Sequence, residues 1–368
     1  MTRRRFAELG AIDLEFGGTL PSVQVGYQTW GTPRRDDSGG IVNAVLVLHA
    51  LTGDAHVAGE RGPDQPTPGW WDGLIGAGRA LDPLQWFVVA SNVLGGCRGT
   101  TGPSSAAPDG RPWGSRFPRI TIRDQVAVEA LLADHLNIGR YAAVIGGSMG
   151  GMRALEWVLI HPERVASALV LATGAAATAD QIGTQTAQLL AIGNDPAWQG
   201  GDYHGGPGPI AGLGLARRIA HLTYRSETEL EARFGRDWQN QENPLTQNYA
   251  GRYAIQSYLD HHADKLIKRF DAGTYVALTD AMNTHDIGRG RGGVPKALRA
   301  IQSPLLVAGI DTDRLYPLRL QAEIAEYAPA DDGLHVVSSA YGHDGFLIEV
   351  DAIAELVTRT LARATMFA

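Results

Sequence analysis

Six short segments of this chain are apolar almost throughout, and they limit the folds open to it. They are Ala44–Leu48, Trp86–Ala90, Ala142–Ile145, Ser167–Leu171, Leu305–Ile310 and Leu334–Val337. Each is four to six residues long, most are rich in Val, Leu or Ile, and none alternates apolar with polar. Strands that face water on one side alternate; strands covered on both faces do not. Helical periodicity lies between some of these runs. Asp124–Leu136 places Val128, Leu131, Leu132 and Leu136 on one face, and Met152–Ile160 stops before Pro162. Strand and helix in alternation predict an α/β chain with a mostly parallel, doubly wound sheet. The first forty residues differ: alternating segments such as Val23–Tyr27 predict an antiparallel edge.

Some 130 residues separate the run ending near Ala172 from the one beginning at Pro304. A sheet crossover needs far fewer. This stretch has helical spacing instead: Leu215, Ile219 and Leu222 share a face, as do Val276, Thr279 and Met282, and Tyr253–Leu259 and Lys265–Phe270 read as helices. Gly200–Gly214 reads as a loop among them. The expected organisation is a core over 1–173, a helical insertion over 174–302, and the rest of the core over 303–368.

Charge narrows the function classes. Lys and Arg number 32 against 39 Asp and Glu, a net charge of −7, which excludes a basic nucleic-acid footprint. No apolar run approaches the ~18 residues needed to span a bilayer. The charged opening Met1-Thr2-Arg3-Arg4-Arg5-Phe6 is not followed by an apolar stretch, and Cys97 is the single cysteine. A cytoplasmic protein without secretory signal or internal disulfide is expected. Glycine is in excess: 46 residues, where average usage would give about 26.

Part of that excess surrounds one serine. Gly146-Gly147-Ser148-Met149-Gly150 follows the run Ala142–Ile145 and precedes a helical stretch. This is G-x-S-x-G in the strand–turn–helix setting that exposes a nucleophilic hydroxyl. Glycine is required there because a Cβ at Gly146 or Gly150 would crowd the neighbouring strand or helix. A serine nucleophile needs a base, and the base needs an orienting carboxylate. With this turn the chain order is Ser, acid, His. That order leaves His335 and His343 of the eleven histidines. His335 lies inside the run Leu334–Val337, whereas His343 lies in the glycine-flanked loop Tyr341-Gly342-His343-Asp344-Gly345, which favours it as base. Two acids follow Leu305–Ile310. Asp313, four residues before Pro317, is favoured as orienter, with Asp311 left to brace the turn. The oxyanion of an acyl-transfer intermediate would sit between backbone N–H groups of Met149 and Leu51, the latter in the loop His49-Ala50-Leu51-Thr52-Gly53. His49 is expected to brace that loop.

Several longer motifs carry a resemblance. His49-Ala50-Leu51-Thr52-Gly53-Asp54, Pro68-Gly69-Trp70-Trp71-Asp72, Asn92-Val93-Leu94-Gly95-Gly96-Cys97, Gly147-Ser148-Met149-Gly150-Gly151, Asp313-Arg314-Leu315-Tyr316-Pro317 and Gly342-His343-Asp344-Gly345-Phe346 resemble motifs of the homoserine O-acetyltransferases, in the α/β-hydrolase superfamily. The resemblance spans nearly the whole chain. It implies an α/β-hydrolase fold with an inserted helical lid and the triad Ser148, Asp313 and His343. It also implies two contacts to substrate: Arg217 for the homoserine carboxylate and Asp344 for its amino group. Arg218, beside Arg217, departs from the commoner uncharged residue. The implied reaction is ping-pong transfer of acetyl from acetyl-CoA through acetyl-Ser148 to the hydroxyl of L-homoserine, in methionine biosynthesis, with no bound cofactor. A homodimer through the lid is implied as well. Succinyl-CoA as donor, serine as acceptor, and a plain esterase or thioesterase are the competing expectations.

Other features are expected to be structural. His49 and His56, like His261 and His262, lack a third ligand at metal spacing, so no metal is expected. Gly288-Arg289-Gly290-Arg291-Gly292-Gly293 reads as a flexible loop closing the insertion rather than a phosphate cradle. Cys97 reads as a small residue near the site entrance.

Overall fold

The computed structural model describes residues 3–63, 65–247, 250–329 and 332–365. The chain opens with β1 (Arg5–Glu8), a ribbon of β2 (Ile12–Asp13) and β3 (Thr19–Leu20), then β4 (Gln24–Trp30). The remaining strands are β5 (Ala44–Leu48), β6 (Phe87–Ser91), β7 (Ala143–Gly147), β8 (Ala168–Leu171), β9 (Leu305–Ile310) and β10 (Leu334–Val337). Eight strands form one sheet in the order β1-β4-β6-β5-β7-β8-β9-β10. β1 and β6 flank β4 antiparallel, and all pairings from β6 to β10 are parallel. Every residue of β5, β6, β7, β8 and β9 is buried, which is why these strands read as unbroken apolar runs.

Helices α1 (Ile122–His135) and α2 (Met149–Ile160) lie between β6 and β8. The segment from β8 to β9 holds α3 (Ala179–Gly193), α4 (Ile210–Tyr224), α5 (Glu227–Phe234), α6 (Ala254–Ile267), α7 (Ala272–Asn283) and α8 (Val294–Arg299). α9 (Leu318–Tyr327), a short α10 (Gly345–Ile348) and α11 (Val350–Thr365) follow β9. Val126 and Ala130 of α1, Leu155 and Trp157 of α2 and Ile324 of α9 cover one face of the sheet. Ile353, Val357 and Leu361 of α11, with Trp71, cover the other. A third cluster joins Leu213 and Ala216 of α4 and Tyr275, Leu278 and Met282 of α7 to Leu51 and Met149, so the insertion packs over the end of the sheet that carries the serine turn.

Local chemistry sets the helix starts. Thr121 and Asp124 form a reciprocal capping box at α1, and Thr178 and Gln181 do so at α3. Three details of the insertion differ from expectation. Residues 253–270 hold one helix, α6, where two were expected. The predicted loop Gly200–Gly214 ends where α4 begins at Ile210, so Gly212 and Gly214 are helical. Gly212 is needed there because a Cβ would sit 2.5 Å from the Ala191 carbonyl oxygen of α3. The α4 face bearing Leu215, Ile219 and Leu222 points outward, with Leu215 49% and Leu222 39% exposed. The face turned inward carries Gly212, Leu213, Gly214, Ala216, Ala220 and His221, and its glycines and alanines let α4 approach its neighbours closely.

Candidate active site

β7 ends at Gly147 and α2 begins at Met149, so Ser148 alone makes the turn, at φ 57° and ψ −125°. Such a conformation strains a non-glycine residue by about 1–3 kcal/mol and persists only where its surroundings enforce it. Here they do. A Cβ on Gly146 would lie 2.1 Å from the Gly150 carbonyl oxygen, and one on Gly150 would lie 2.2 Å from that of Leu48. Both positions exclude any side chain, so β5, β7 and α2 close around the turn and raise the Ser148 hydroxyl into a pocket of about 100 Å³.

The structure brings Ser148, His343 and Asp313 together. His343 Nε2 lies 2.9 Å from Ser148 Oγ, and Nδ1 lies 2.6 Å from Asp313 Oδ2. All three residues are buried. The other oxygen of Asp313 accepts the backbone N–H groups of Leu315 and Tyr316, each at 2.8 Å, which locks the carboxylate. Only a proton on Nδ1 satisfies Asp313, so neutral His343 presents the lone pair of Nε2 to the serine. Burial pushes the imidazole pKa down, but the Asp313 charge, its hydrogen bond and the Asp344 charge outweigh burial and hold it above its usual value. Asp311 accepts the Ser338 hydroxyl and the Ser339 N–H and braces the turn. His335 lies in β10 facing Asp332, away from the serine pocket.

Leu51 lines the serine pocket, and Met149 is the first residue of α2. As the first residue of a helix, Met149 has no intrahelical acceptor for its N–H. The loop carrying Leu51 is fixed from several sides. His49 Nε2 accepts the Val93 N–H at 3.0 Å, so its proton sits on Nδ1 and is donated to the Ala50 carbonyl at 2.7 Å. The Gly53 N–H donates to the same oxygen. In a trans peptide the N–H points away from the C=O. Holding the Ala50 oxygen therefore fixes the direction of the Leu51 N–H. Burial, then the Arg153 charge, lowers the His49 pKa to about 3, so it stays neutral. Arg153 is fully buried; it pairs with Glu129 and donates to the His49 carbonyl. Trp157 donates to the second Glu129 oxygen at 2.8 Å. Arg153, a charge in the mostly apolar helix that follows the nucleophile, is the mark this brace leaves in the sequence.

Arg217 and Asp344 line the same pocket as Ser148 and His343. Nε and Nη1 of Arg217 are buried and have no hydrogen-bond partner, while its guanidinium carbon lies 5.2 Å from the Tyr224 ring centre. Arg218 points elsewhere and pairs with Asp260 at 2.7 Å. Arg217 is thus the arginine directed at the serine pocket. Burial raises the Asp344 pKa, opposed by His343, Arg217 and Arg225, whose Nη1 lies 3.4 Å away. A guanidinium with two unpartnered nitrogens, facing a carboxylate across a small pocket, suits a zwitterionic amino acid. The aromatic walls Tyr224, Tyr316 and Phe346 surround His343, with ring centres 6.0, 5.2 and 5.2 Å away; they were not foreseen.

Other candidates lie apart. Cys97 borders a different cavity with Thr100, Thr101 and Trp113, not the serine pocket. Its thiol pKa is raised by burial, so it is a poor nucleophile. Arg289 and Arg291 of the glycine-rich segment are tied to Glu15 and Glu156. Arg123 bridges the same two acids, so both arginines of the segment are held in one ion-pair network. Among the described residues, no group of three or more His, Cys, Asp or Glu side chains has metal-binding geometry. No helix among them is long and apolar enough to cross a membrane.

A family model described as the alpha/beta hydrolase fold matches residues 43–350. The homoserine O-acetyltransferase of Thermobifida fusca is 58% identical over 363 residues, covering 98% of this chain and 94% of that protein. Among solved structures, a homoserine O-acetyltransferase from Bacillus anthracis superposes with a TM-score of 0.87 at 26% identity, covering 98% of both chains. Esterase E22 matches equally in fold, with a TM-score of 0.87 at 26% identity, covering 98% of this chain and 100% of that one.

Proposed function

Because the chain belongs to the homoserine O-acetyltransferase family of the alpha/beta hydrolase fold, we propose that it transfers the acetyl group of acetyl-CoA to the side-chain hydroxyl of L-homoserine, the acyl step of methionine biosynthesis. One observation carries the choice of a transferase over an esterase: Arg217, with two unpartnered buried nitrogens, and Asp344 share the pocket of Ser148. A simple ester hydrolase has no need of a grip on a zwitterion.

His343 Nε2 takes the proton of Ser148 Oγ as that oxygen attacks the thioester carbonyl. The tetrahedral oxyanion is held by the N–H groups of Leu51 and Met149. The carbon–sulfur bond breaks, the proton on His343 goes to the departing sulfur, and acetyl-Ser148 remains. Homoserine then enters with its carboxylate on Arg217 and its ammonium on Asp344. His343 removes the hydroxyl proton, the alkoxide attacks the acetyl carbonyl, and the proton returns to Ser148 Oγ as O-acetylhomoserine leaves. Asp313 keeps the imidazole in the required tautomer and stabilises the imidazolium.

The segment 174–302 serves as a lid domain between two core parts, 1–173 and 303–368. Gln185 and Gln188 of α3, Arg217 and Tyr224 of α4 and Met282 of α7 wall the pocket. Water is kept from the acyl-enzyme by that wall. The outward apolar side chains of α3 and α4, namely Ile182, Leu190, Ile210, Leu215 and Leu222, support pairing with a second copy as a homodimer. The lone Cys97 agrees with a reducing cytoplasm.

The test is acetyl-CoA consumption with and without homoserine. Consumption that depends on homoserine, with parallel double-reciprocal lines, is expected. Equal rates in both conditions would assign a hydrolase instead.

A further inference from the structure

A second cavity of about 280 Å³ adjoins the serine pocket and shares Ala50, Thr52, Arg217, Asp344 and Leu347 with it. Its cations come from the lid. His262, Lys265 and Leu266 of α6, with Arg269 just beyond its end, meet Arg217 and His221 of α4. Arg217, Lys265 and Arg269 therefore border one cavity, and Asp344 is the acid among its lining residues. That acid is already faced by Arg225. Elsewhere arginines pair with carboxylates, as Arg218 does with Asp260 and Arg252 with Glu242. Neither Lys265 nor Arg269 takes part in an ion pair among the described residues. Arg269 spends one nitrogen, Nη1, on the Thr52 carbonyl at 2.9 Å, which leaves Nε and Nη2. Burial first, then the charges of Arg217, His261 and Lys265, lower the His262 pKa to about 4. In a chain of net charge −7, a cluster of unpaired cations beside the acyl pocket calls for an anion. Trp70, Leu266, Leu347 and Ile348 supply apolar wall between them.

We propose that Lys265 and Arg269 form the subsite for the phosphate-bearing end of the acyl donor, with the chain that carries the thioester running along this cavity to Ser148. Arg217, nearer the serine, is left for the acceptor's carboxylate. The inference rests on the reading that the donor is a CoA thioester. Lysine supplies a mobile point charge at the mouth, and arginine a fixed fork deeper in.

Two donors separate the parts: acetyl-CoA, and the acetyl thioester of N-acetylcysteamine, which keeps the reacting end and lacks every phosphate. The Lys265 side chain is exposed and makes no hydrogen bond or ion pair among the described residues, so Lys265→Glu is the first variant. It is expected to raise KM for acetyl-CoA about tenfold or more, with the rise shrinking at high salt and the truncated donor unaffected. Arg269→Met is expected to do the same with a weaker salt dependence. The inference is overturned if Lys265→Glu leaves KM for acetyl-CoA unchanged, or if both donors suffer equally. Should the wild-type protein transfer acetyl from neither thioester to homoserine, the proposed function fails, a result distinct from a variant that treats both donors alike.

Discussion

Replacing Arg217 with methionine separates the two half-reactions. In the folded chain Nε and Nη1 of Arg217 are buried without a partner. A carboxylate bound end-on by that guanidinium would accept two charge-assisted hydrogen bonds, worth about 1.5–3 kcal/mol each. Their joint loss, ~3–6 kcal/mol, corresponds to roughly 10²–10⁴ in kcat/KM at ~1.4 kcal/mol per tenfold. That loss should fall on homoserine alone. Ser148, His343, Asp313 and the Leu51 loop are not hydrogen-bonded to Arg217, so acetyl-enzyme should still form from acetyl-CoA. Stability should move the other way, because two buried guanidinium nitrogens without hydrogen-bond partners oppose folding. The melting temperature of Arg217→Met without substrate is expected to hold or rise. The assay is a stopped-flow burst of CoA release without homoserine, followed by titration with homoserine. A burst near wild type with a homoserine kcat/KM down at least about a hundredfold supports the assignment. A homoserine kcat/KM within about threefold of wild type, or a burst that falls in step, refutes it.

Four further outcomes follow from the geometry. Activity requires neutral His343, whose pKa is held above its usual value, so kcat/KM should fall as pH drops through a value above about 6.5. Asp313→Asn removes the charge that opposes burial; it should move that acidic limb to lower pH and cut kcat by about 10⁴, and an unmoved limb would detach Asp313 from the base. Gly150→Ala places a Cβ 2.2 Å from the Leu48 carbonyl oxygen and should destabilise the fold by more than about 3 kcal/mol in denaturant unfolding. Leu215→Asp, on the exposed face of α4, should yield monomers by sedimentation while the wild type sediments as a dimer; a monomeric wild type would remove the basis for pairing.

The serine turn could be read from the chain because its requirement is local. Gly146 and Gly150 are fixed by backbone contacts that only a strand–turn–helix imposes, and the sequence displays the apolar run, the glycines and the helix in one short stretch. The parallel sheet was equally plain, since strands covered on both faces carry no polar alternation. Periodicity was less informative in the lid. It located a helix around Leu215, Ile219 and Leu222 but could not tell which side faces the protein, because the inward side of α4 is mostly glycine and alanine, with Leu213 its single large apolar residue.

By itself, then, the sequence determined the sheet class, the turn that lifts Ser148, and the short set of acids and histidines able to serve it. These depend on chain order and on neighbours a few positions apart. Tertiary structure alone decided which of Arg217 and Arg218 enters the pocket, since the choice turns on Asp260 drawing Arg218 to the other side. It alone joined Arg153, Glu129 and the His49 carbonyl beneath the Leu51 loop. It alone set Lys265 and Arg269 of the lid against a loop more than two hundred residues earlier in the chain. Electrostatic partners of this kind are chosen by distance in space, which spacing along the chain does not encode.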